Sequence, residues 1–214
     1  MTDTQKKPLW KNELVWLFLI TSGLFAILYS KFILGGYAYV FTDTGADTMQ
    51  INYAQYGLFS SLFRSGESGY VLQAGLGMDV SSYYPAYLIP YNLLILLAPQ
   101  RLLPWAVLAS AYLKMITISL VGYLFYRKLM QDGIGTMAAA LAWTFSGYVI
   151  LWGQHYGFCT CMALFTVFMY FLQCYLNGEQ RWKSAGLVIT VTMLLISSYY
   201  FLYMIAFFAV FYVF

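Results

Sequence analysis

Charged side chains are scarce in this 214-residue chain. Lys, Arg, Asp and Glu together make up 9% of it, whereas a soluble domain carries about 25%. Hydrophobic residues make up 62% and aromatic residues 21%, and the apolar runs are long and continuous rather than alternating. Such runs are typical of membrane-spanning helices and not of β-barrels. The sequence therefore predicts an all-α integral membrane protein that folds as a polytopic helix bundle.

The chain is also poor in the residues that build common catalytic and metal sites. It has one His and three Cys, and it shows no Walker loop, no dinucleotide fingerprint, no His/Cys metal spacing and no nucleophile elbow. The thiols lie in or beside one apolar run, which favours buried, inert side chains over a disulfide or a metal site. The net charge of +3 comes without a basic patch, so nucleic acid is excluded as a partner.

The long apolar runs predict six membrane spans within one transmembrane domain. They lie near 14–35, 102–126, 134–152, 157–176, 184–196 and 199–214. Lysines precede the first span, which predicts a cytoplasmic N-terminus by the positive-inside rule. Because residue 214 lies inside an apolar run, we expect residues 1–214 to be the N-terminal part of a longer domain.

The segment 82–99 is apolar and aromatic, but it is short and contains two prolines, Pro85 and Pro90. If it crossed the membrane, the basic pairs 127–128 and 181–183 would lie outside. If it dips in and returns, both pairs are cytoplasmic, as the positive-inside rule requires. We therefore predict a re-entrant or interfacial segment, whose backbone must be buried in protein or line a wet cavity.

The loop 37–84 faces outward in this arrangement, and it holds four of the eight acidic residues. Within it, residues 47–64 show a helical pattern. Its predicted apolar stripe consists of Ile51, Ala54, Leu58 and Leu62, widened by Tyr56, Phe59 and Phe63. The polar side chains of Gln50, Asn52, Gln55 and Ser60 fall largely elsewhere on the helix. An amphipathic helix of this kind is expected to lie on the outer membrane surface.

Two carboxylates, Asp43 and Asp47, follow the first span and are the candidate catalytic residues. Asp43 lies where the chain leaves the membrane, so a general base there could meet a lipid-borne substrate. Asp47 has a second interpretation, because Asp47-Thr-Met-Gln50 fits a capping box in which the Asp side chain caps the helix and Gln50 reaches back. Structural carboxylates are common, so both interpretations stay open for Asp47.

Four further residues are candidate substrate contacts: Lys114, His155, Arg64 and Tyr84. Lys114 lies in the middle of a span, where an ammonium group needs a cavity or a partner; it could hold a lipid phosphate or hydrogen-bond to a neighbouring helix. The imidazole of His155 suits proton transfer or phosphate contact, and Arg64 is an outward cation. Surface anchoring and an interfacial aromatic belt are the alternatives for these loop residues.

Several motifs follow the first span in a characteristic order. They are Phe41-Thr-Asp43-Thr-Gly-Ala-Asp47-Thr, Gly75-Leu-Gly77-Met, Tyr83-Tyr84-Pro85, Pro90-Tyr-Asn92-Leu-Leu, the span with Lys114, Trp143-Thr-Phe-Ser146-Gly147-Tyr148, and His155. In this order the chain resembles the YfhO family of bacterial membrane proteins, which belong to the GT-C-type multi-span glycosyltransferases. The resemblance covers most of the chain.

The resemblance implies a GT-C-like bundle in the bacterial plasma membrane. Such an enzyme takes a sugar from a polyprenyl-phosphate donor and adds it to an envelope glycopolymer, such as lipoteichoic acid, on the outer face of the lipid bilayer. GT-C enzymes place an acidic residue in the first outer loop, a place that Asp43 matches best and Asp47 second. Lys114, Arg64 and His155 would then hold the phosphate leaving group. Some GT-C enzymes use a divalent metal such as Mg²⁺ or Mn²⁺ and others do not, so a metal is permitted but not required.

Two other classes of function compete with the enzyme. A transporter or flippase for lipid-linked sugars would need the same cavity and the same lysine, but no chemistry. A noncatalytic envelope assembly protein would use the acidic loop only to dock a partner. The placement of Asp43 and the family resemblance favour the glycosyltransferase.

Overall fold

The computed structural model describes residues 12–41, 47–67, 69–72, 77–81, 83–130, 132–179 and 181–214. It is 82% helical, and across these residues the sheet consists of one pair of two-residue strands. The predicted all-α membrane bundle is thereby confirmed. The candidate catalytic residue Asp43 lies outside the described residues.

The first apolar run forms two consecutive helices. Helix α1 spans Glu13–Leu28 and helix α2 spans Ser30–Leu34. The Asn12 side chain accepts a hydrogen bond from the backbone N–H of Leu14 and so caps α1. The two helices are separated at Tyr29, whose φ of −100° and ψ of 16° depart from helical geometry.

A π-helical segment, Thr48–Tyr53, leads into helix α3, Ala54–Ser65. The prediction that Asp47 caps this helix is wrong. The Asp47 backbone is already helical, at φ −58° and ψ −38°, and its side chain makes no capping hydrogen bond. A capping side chain normally folds back from an extended backbone. Here the Asn52 side-chain amide instead donates a hydrogen bond to the Asp47 carbonyl, at 3.3 Å.

Helix α3 ends at Ser65 because Gly66 adopts a left-handed φ of 74°, which only glycine takes without strain. Two short strands follow, β1 at Tyr70–Val71 and β2 at Met78–Asp79, and they pair antiparallel. The outer loop is therefore an ordered cap wherever the structure describes it, and not only a linker.

The segment 82–99 contains two short helices, α4 at Tyr84–Tyr87 and α5 at Pro90–Leu97. Pro90 lies in the first turn of α5, where its missing N–H costs no helical hydrogen bond. The 8 residues of α5 extend only about 12 Å, well short of the ~30 Å hydrocarbon core. The re-entrant or interfacial location of this segment in a bilayer stays a prediction.

Helix α3 buries most of the predicted stripe within its own span, but the part of the stripe that precedes it is exposed. Its buried residues are Tyr56, Phe59, Ser60 and Leu62, whereas Ile51 of the predicted stripe is 48% exposed. A π-helical turn has more residues per turn than an α-helix, so it rotates the residues before α3 out of register with a pure α pattern. The buried face packs against α5, and the Ser60 hydroxyl donates to the Ala98 carbonyl at 2.6 Å.

Helix α6, Leu103–Leu129, is the central element of the bundle and packs against α1 and α5. Its contacts with α1 show that the two helices are antiparallel. The hydroxyls of Thr21 and Ser119 lie 2.7 Å apart, and those of Ser22 and Tyr112 lie 2.8 Å apart. Because α1 ends and α6 begins at the same end of the bundle, residues 35–102 start and finish at that end. We call it the loop end.

The predicted span 134–152 is interrupted. Helix α7 spans Gly133–Thr144 and helix α8 spans Gly147–Leu151, and the chain between them leaves helical geometry at Phe145 and Ser146. The sequence analysis missed this break, because no proline marks it and Gly147 is part of α8 rather than of the interruption.

Helix α9, Tyr156–Leu176, runs parallel to α6, and the pair forms the buried centre of the bundle. Among the described residues, three helical segments are long and apolar enough to cross a membrane: Gln100–Leu129, Gly133–Gln154 and Tyr156–Leu176. Helix α1 is apolar but shorter, with 16 residues. The six predicted spans therefore stay a prediction.

Two helices complete the described chain, α10 at Arg181–Ser197 and α11 at Tyr199–Val213. They are separated at Ser198, whose hydroxyl accepts a hydrogen bond from the Phe201 N–H at 3.5 Å. At the N-terminal end of α10, the ammonium groups of Lys128 and Lys183 both pair with Glu179. These hydrogen bonds lower the pKa of Glu179 to about 2. We call this end of the bundle the lysine end.

Candidate functional site

A polar pocket of about 220 Å³ opens at the loop end of the bundle. It lies between α3, α4, the first turns of α9 and the last residue of α10. Its polar lining includes three amide side chains, Asn52, Gln55 and Asn92. We call it the amide pocket, because amides are rare in a chain that is 62% hydrophobic.

Hydroxyl groups complete the lining of the amide pocket. They belong to Tyr56, Tyr83, Tyr87, Thr160 and Ser197. The remaining lining residues are small, and none of the lining residues is charged. Ser197 lies directly before the break between α10 and α11, so a discontinuous helix borders the pocket, as is common around binding sites in membrane proteins.

Neighbouring aromatic rings hold the pocket's walls in place. The Phe59 ring stacks on the Tyr87 ring with centroids 4.1 Å apart and an interplanar angle of 20°. The Tyr87 hydroxyl donates to the Gln55 side-chain carbonyl at 3.3 Å. On the other wall, the Tyr56 hydroxyl donates to the Asn92 side-chain carbonyl, also at 3.3 Å. Burial raises the pKa of Tyr56 well above its usual value, so this phenol keeps its proton and remains a donor.

Tyr156 connects the amide pocket to the centre of the bundle. Its ring stacks on the Tyr56 ring with centroids 5.2 Å apart and planes within 10°. Its hydroxyl donates to the Tyr39 carbonyl in the outer loop. Its own carbonyl accepts from the ammonium of Lys114 at 3.1 Å and from the Thr160 hydroxyl at 3.0 Å. The side chain and the backbone carbonyl of Tyr156 thus join the loop, α3, α6 and α9.

Lys114 is 2% exposed and faces an enclosed cavity rather than the amide pocket. The cavity measures about 10 Å³, roughly the room that one water molecule needs. Ser110 also lines it, and the Ser110 hydroxyl is buried without a hydrogen-bond partner. In this structure a lipid phosphate has no access to Lys114, so its predicted contact with substrate would require the cavity to open.

The segments that carry Asp47 and His155 meet at the loop end. The hydroxyl of Thr48 donates to the Gln154 carbonyl at 3.3 Å, which places the residue after Asp47 against the residue before His155. The His155 ring is half-buried and stacks on Phe158, with centroids 5.2 Å apart. The structure thus brings together two segments, each next to a predicted site residue, that are more than 100 positions apart in the sequence.

The other two predicted contacts, Arg64 and Tyr84, do not line the amide pocket. Arg64 is exposed near the end of α3, and its Nε donates to the Ser60 carbonyl one turn earlier, at 3.1 Å. The Tyr84 hydroxyl donates to the Glu67 carbonyl at 2.7 Å. Tyr84 therefore anchors the loop, while its neighbours Tyr83 and Tyr87 face the pocket.

The described residues do not supply a metal site. Within them, no group of three or more His, Cys, Asp or Glu side chains lies close enough to hold an ion. Mg²⁺ and Mn²⁺ prefer oxygen ligands, usually including one or two carboxylates, and none of the residues that line the amide pocket carries a carboxylate.

The family profile described as "Bacterial membrane protein YfhO" matches residues 17–214. The chain belongs to the YfhO family of bacterial membrane proteins. This match confirms the resemblance drawn from the motifs, and it includes the residues that line the amide pocket. Searches of curated proteins and of solved structures found no match.

The sequence analysis of this YfhO family chain missed the residues that form the pocket. Asn92 appeared only within a family motif, and Asn52 and Gln55 appeared only as the polar side of a surface helix. A signal was nevertheless present, because an amide between Pro90 and a leucine-rich run must find polar partners at membrane depth. Tyr156 was not among the candidate site residues, and no local pattern reveals its contacts with Tyr39, Tyr56 and Lys114.

Proposed function

We propose that this YfhO family protein is a GT-C-type glycosyltransferase of the bacterial plasma membrane. It moves a sugar from a polyprenyl-phosphate carrier to an envelope glycopolymer, of the lipoteichoic acid type, at the outer face. The observation that carries the proposal is the amide pocket at the loop end of an apolar bundle, beside the meeting point of the Asp47 and His155 segments. A polar, uncharged pocket of this kind suits a sugar ring better than a lipid or an ion.

The proposed reaction is an inverting displacement at the anomeric carbon. The bond between that carbon and the phosphate oxygen breaks, and a bond to the acceptor oxygen forms. Asp43 takes the proton of the acceptor hydroxyl as a general base, and Asp47 helps to orient the acceptor. The polyprenyl phosphate leaves as an anion, and contacts from His155 and Arg64 stabilise its charge.

We infer a positioning role for Lys114 in this mechanism. Its ammonium holds the Tyr156 carbonyl, and the Tyr156 ring supports Tyr56 in the wall of the pocket. Lys114 would thus affect the reaction through the shape of the pocket and not through direct contact with the phosphate.

A transfer assay tests the proposal directly. The full chain, purified and reconstituted into liposomes, is given a radiolabelled polyprenyl-phosphate sugar and an envelope glycopolymer. Wild type, Asp43→Asn and Asp47→Asn are compared, with folding checked by thermal unfolding in detergent. We expect Asp43→Asn to lower transfer by about 10²-fold or more, the usual contribution of general base catalysis, because an amide cannot take the proton.

Each outcome separates the candidate functions. Loss of transfer in Asp43→Asn alone assigns the base to Asp43, and loss in both variants indicates a shared site. Transfer at the wild-type rate in both variants would refute the carboxylate mechanism. If the wild type binds the donor but transfers nothing, the transporter or flippase replaces the enzyme. An assembly protein would neither bind the donor nor depend on either carboxylate.

A further inference from the structure

The amide pocket has hydrogen-bonding groups that the protein itself leaves unused. The Gln55 carbonyl accepts from Tyr87, but none of the described contacts uses the two N–H donors of its amide. The Asn52 amide donates to the Asp47 carbonyl, and its side-chain oxygen remains an acceptor. Both side chains are half-buried. One donor pair and one acceptor therefore face the pocket from adjacent turns of the same helical segment.

The pocket combines these polar groups with aromatic surface. Tyr56, Tyr83 and Tyr87 contribute rings as well as hydroxyls. A sugar ring has the same two features, because its hydroxyls both donate and accept hydrogen bonds while its C–H faces are apolar. The volume of about 220 Å³ lies below the roughly 300–1,000 Å³ typical of drug-sized ligands, so the pocket suits a single ring rather than an oligosaccharide.

The pocket's lining also disfavours charged ligands. No cation lines it, Lys114 faces a separate enclosed cavity, and the Arg64 Nε is hydrogen-bonded to its own helix. A carboxylate or phosphate in the pocket would lose its hydration without gaining an ion pair, which is costly. An uncharged hydroxylated ring loses less, because amides and phenols can replace its water contacts.

We propose that Asn52 and Gln55 are specificity-determining residues that select an uncharged donor sugar and reject an acidic one. This inference rests on the proposed function and specifies the class of donor sugar that the glycosyltransferase accepts. The sugar ring of the donor occupies the amide pocket. Its hydroxyls accept hydrogen bonds from the Gln55 side-chain amide and donate to the Asn52 side-chain oxygen. The phosphate and the prenyl chain lie outside the pocket.

Equilibrium binding tests this proposal without requiring turnover. The full chain in detergent is titrated with two radiolabelled short-chain prenyl phosphates, one carrying a neutral hexose and the other the matching uronic acid. We expect the wild type to bind the neutral hexose at least about tenfold more tightly, since leaving a charge or a polar group unpaired in such a site typically costs that much or more. Equal binding of the two, or tighter binding of the uronic acid, would overturn the proposal.

Two near-isosteric variants then locate the selectivity. Asn52→Leu and Gln55→Met keep the side-chain size but remove the amide, and Gln50→Ala alters an exposed amide outside the pocket as the matched control. Each pocket variant is expected to weaken binding of the neutral hexose by roughly tenfold per lost set of hydrogen bonds, with Gln50→Ala unchanged. If both pocket variants fold and bind the neutral hexose as tightly as the wild type, Asn52 and Gln55 do not determine the specificity. If the variants fail to fold, the preference of the wild type for the neutral hexose over the uronic acid still tests the proposal.

Failure of this inference can be told apart from failure of the proposed function. If the wild type binds the neutral hexose through Asn52 and Gln55 but transfers nothing, the pocket assignment stands and the glycosyltransferase does not. If transfer occurs but the pocket variants keep the wild-type affinity and preference, the function stands and the assignment does not. A wild type that binds neither prenyl phosphate refutes both.

Discussion

At the scale of single residues, the fold concentrates several tasks on Tyr156. Its ring supports the pocket wall, its hydroxyl holds the outer loop, and its carbonyl receives the ammonium of Lys114. An ammonium group buried at this depth is expensive, and among the described residues no carboxylate pairs with it. Its retention is therefore better explained by the position it gives to Tyr156 than by a gain in stability.

The buried charge of Lys114 leads to a stability prediction. We expect Lys114→Met to leave the unfolding temperature unchanged or to raise it, because Met fills similar space and removes a desolvated charge. The lost hydrogen bond, worth roughly 1.5–3 kcal/mol, offsets only part of that gain. Thermal unfolding in detergent measures the effect.

The variant Lys114→Arg provides a comparison for Lys114→Met. Lys114→Arg keeps the charge but overfills the enclosed cavity, so it should destabilise the protein by about 1–3 kcal/mol. If Lys114→Met costs about 3–5 kcal/mol instead, the lysine belongs to a buried ion pair, whose disruption has that cost.

At the scale of elements, the outer helix α3 is docked on the bundle through its buried face. The Ser60 hydroxyl, which is fully buried, donates to the Ala98 carbonyl after α5. The Gln100 amide donates to the Gly57 carbonyl at 2.7 Å. The amide pocket lies between α3 and the bundle, so its shape depends on this docking.

Removing the Ser60 hydroxyl should weaken the docking. We expect Ser60→Ala to destabilise the protein by about 1–3 kcal/mol, because the buried Ala98 carbonyl loses its partner. Ser61→Ala is the matched control. The Ser61 hydroxyl bonds only within its own helix, to the Leu58 carbonyl, and a change within about 0.5 kcal/mol is expected. Thermal unfolding of the two variants side by side checks the difference, and equal effects would show that this hydrogen bond does not hold α3.

At the scale of the whole molecule, the two ends of the bundle differ in chemistry. The loop end carries the amide pocket, and the lysine end carries Lys128, Glu179 and Lys183. The positive-inside rule predicts that the lysine end faces the cytoplasm, and on that prediction the loop end faces outward.

Labelling of single cysteines tests this orientation in intact cells. The native thiols Cys159, Cys161 and Cys174 are buried, so a membrane-impermeant maleimide should not reach them. We expect Glu67→Cys at the loop end to be labelled in intact cells. Asn177→Cys at the lysine end should be labelled only after the cells are permeabilised. The reverse pattern would contradict an outward-facing pocket.

The all-α membrane class and the family could be predicted from the amino-acid sequence alone. These follow from local properties, since hydropathy, charge and motif order are read along the chain. The helical pattern over residues 47–64 likewise ended within one residue of Ser65, where α3 ends. The exposure of Ile51 was not predictable, because the π-helical turn before α3 shifts the register in a way that no apolar period reveals.

The assembly of the site, in contrast, depends on contacts between distant parts of the chain. Thr48 meets Gln154, Tyr156 meets both Tyr39 and Lys114, and Asn52 comes to share a pocket with Ser197. These partners are 40 to more than 100 residues apart in the sequence, so no spacing rule connects them. The sequence alone shows which polar residues stand out in an apolar chain. The packing of the helices determines which of these residues face a common cavity, because each buried polar group must find a hydrogen-bond partner away from water.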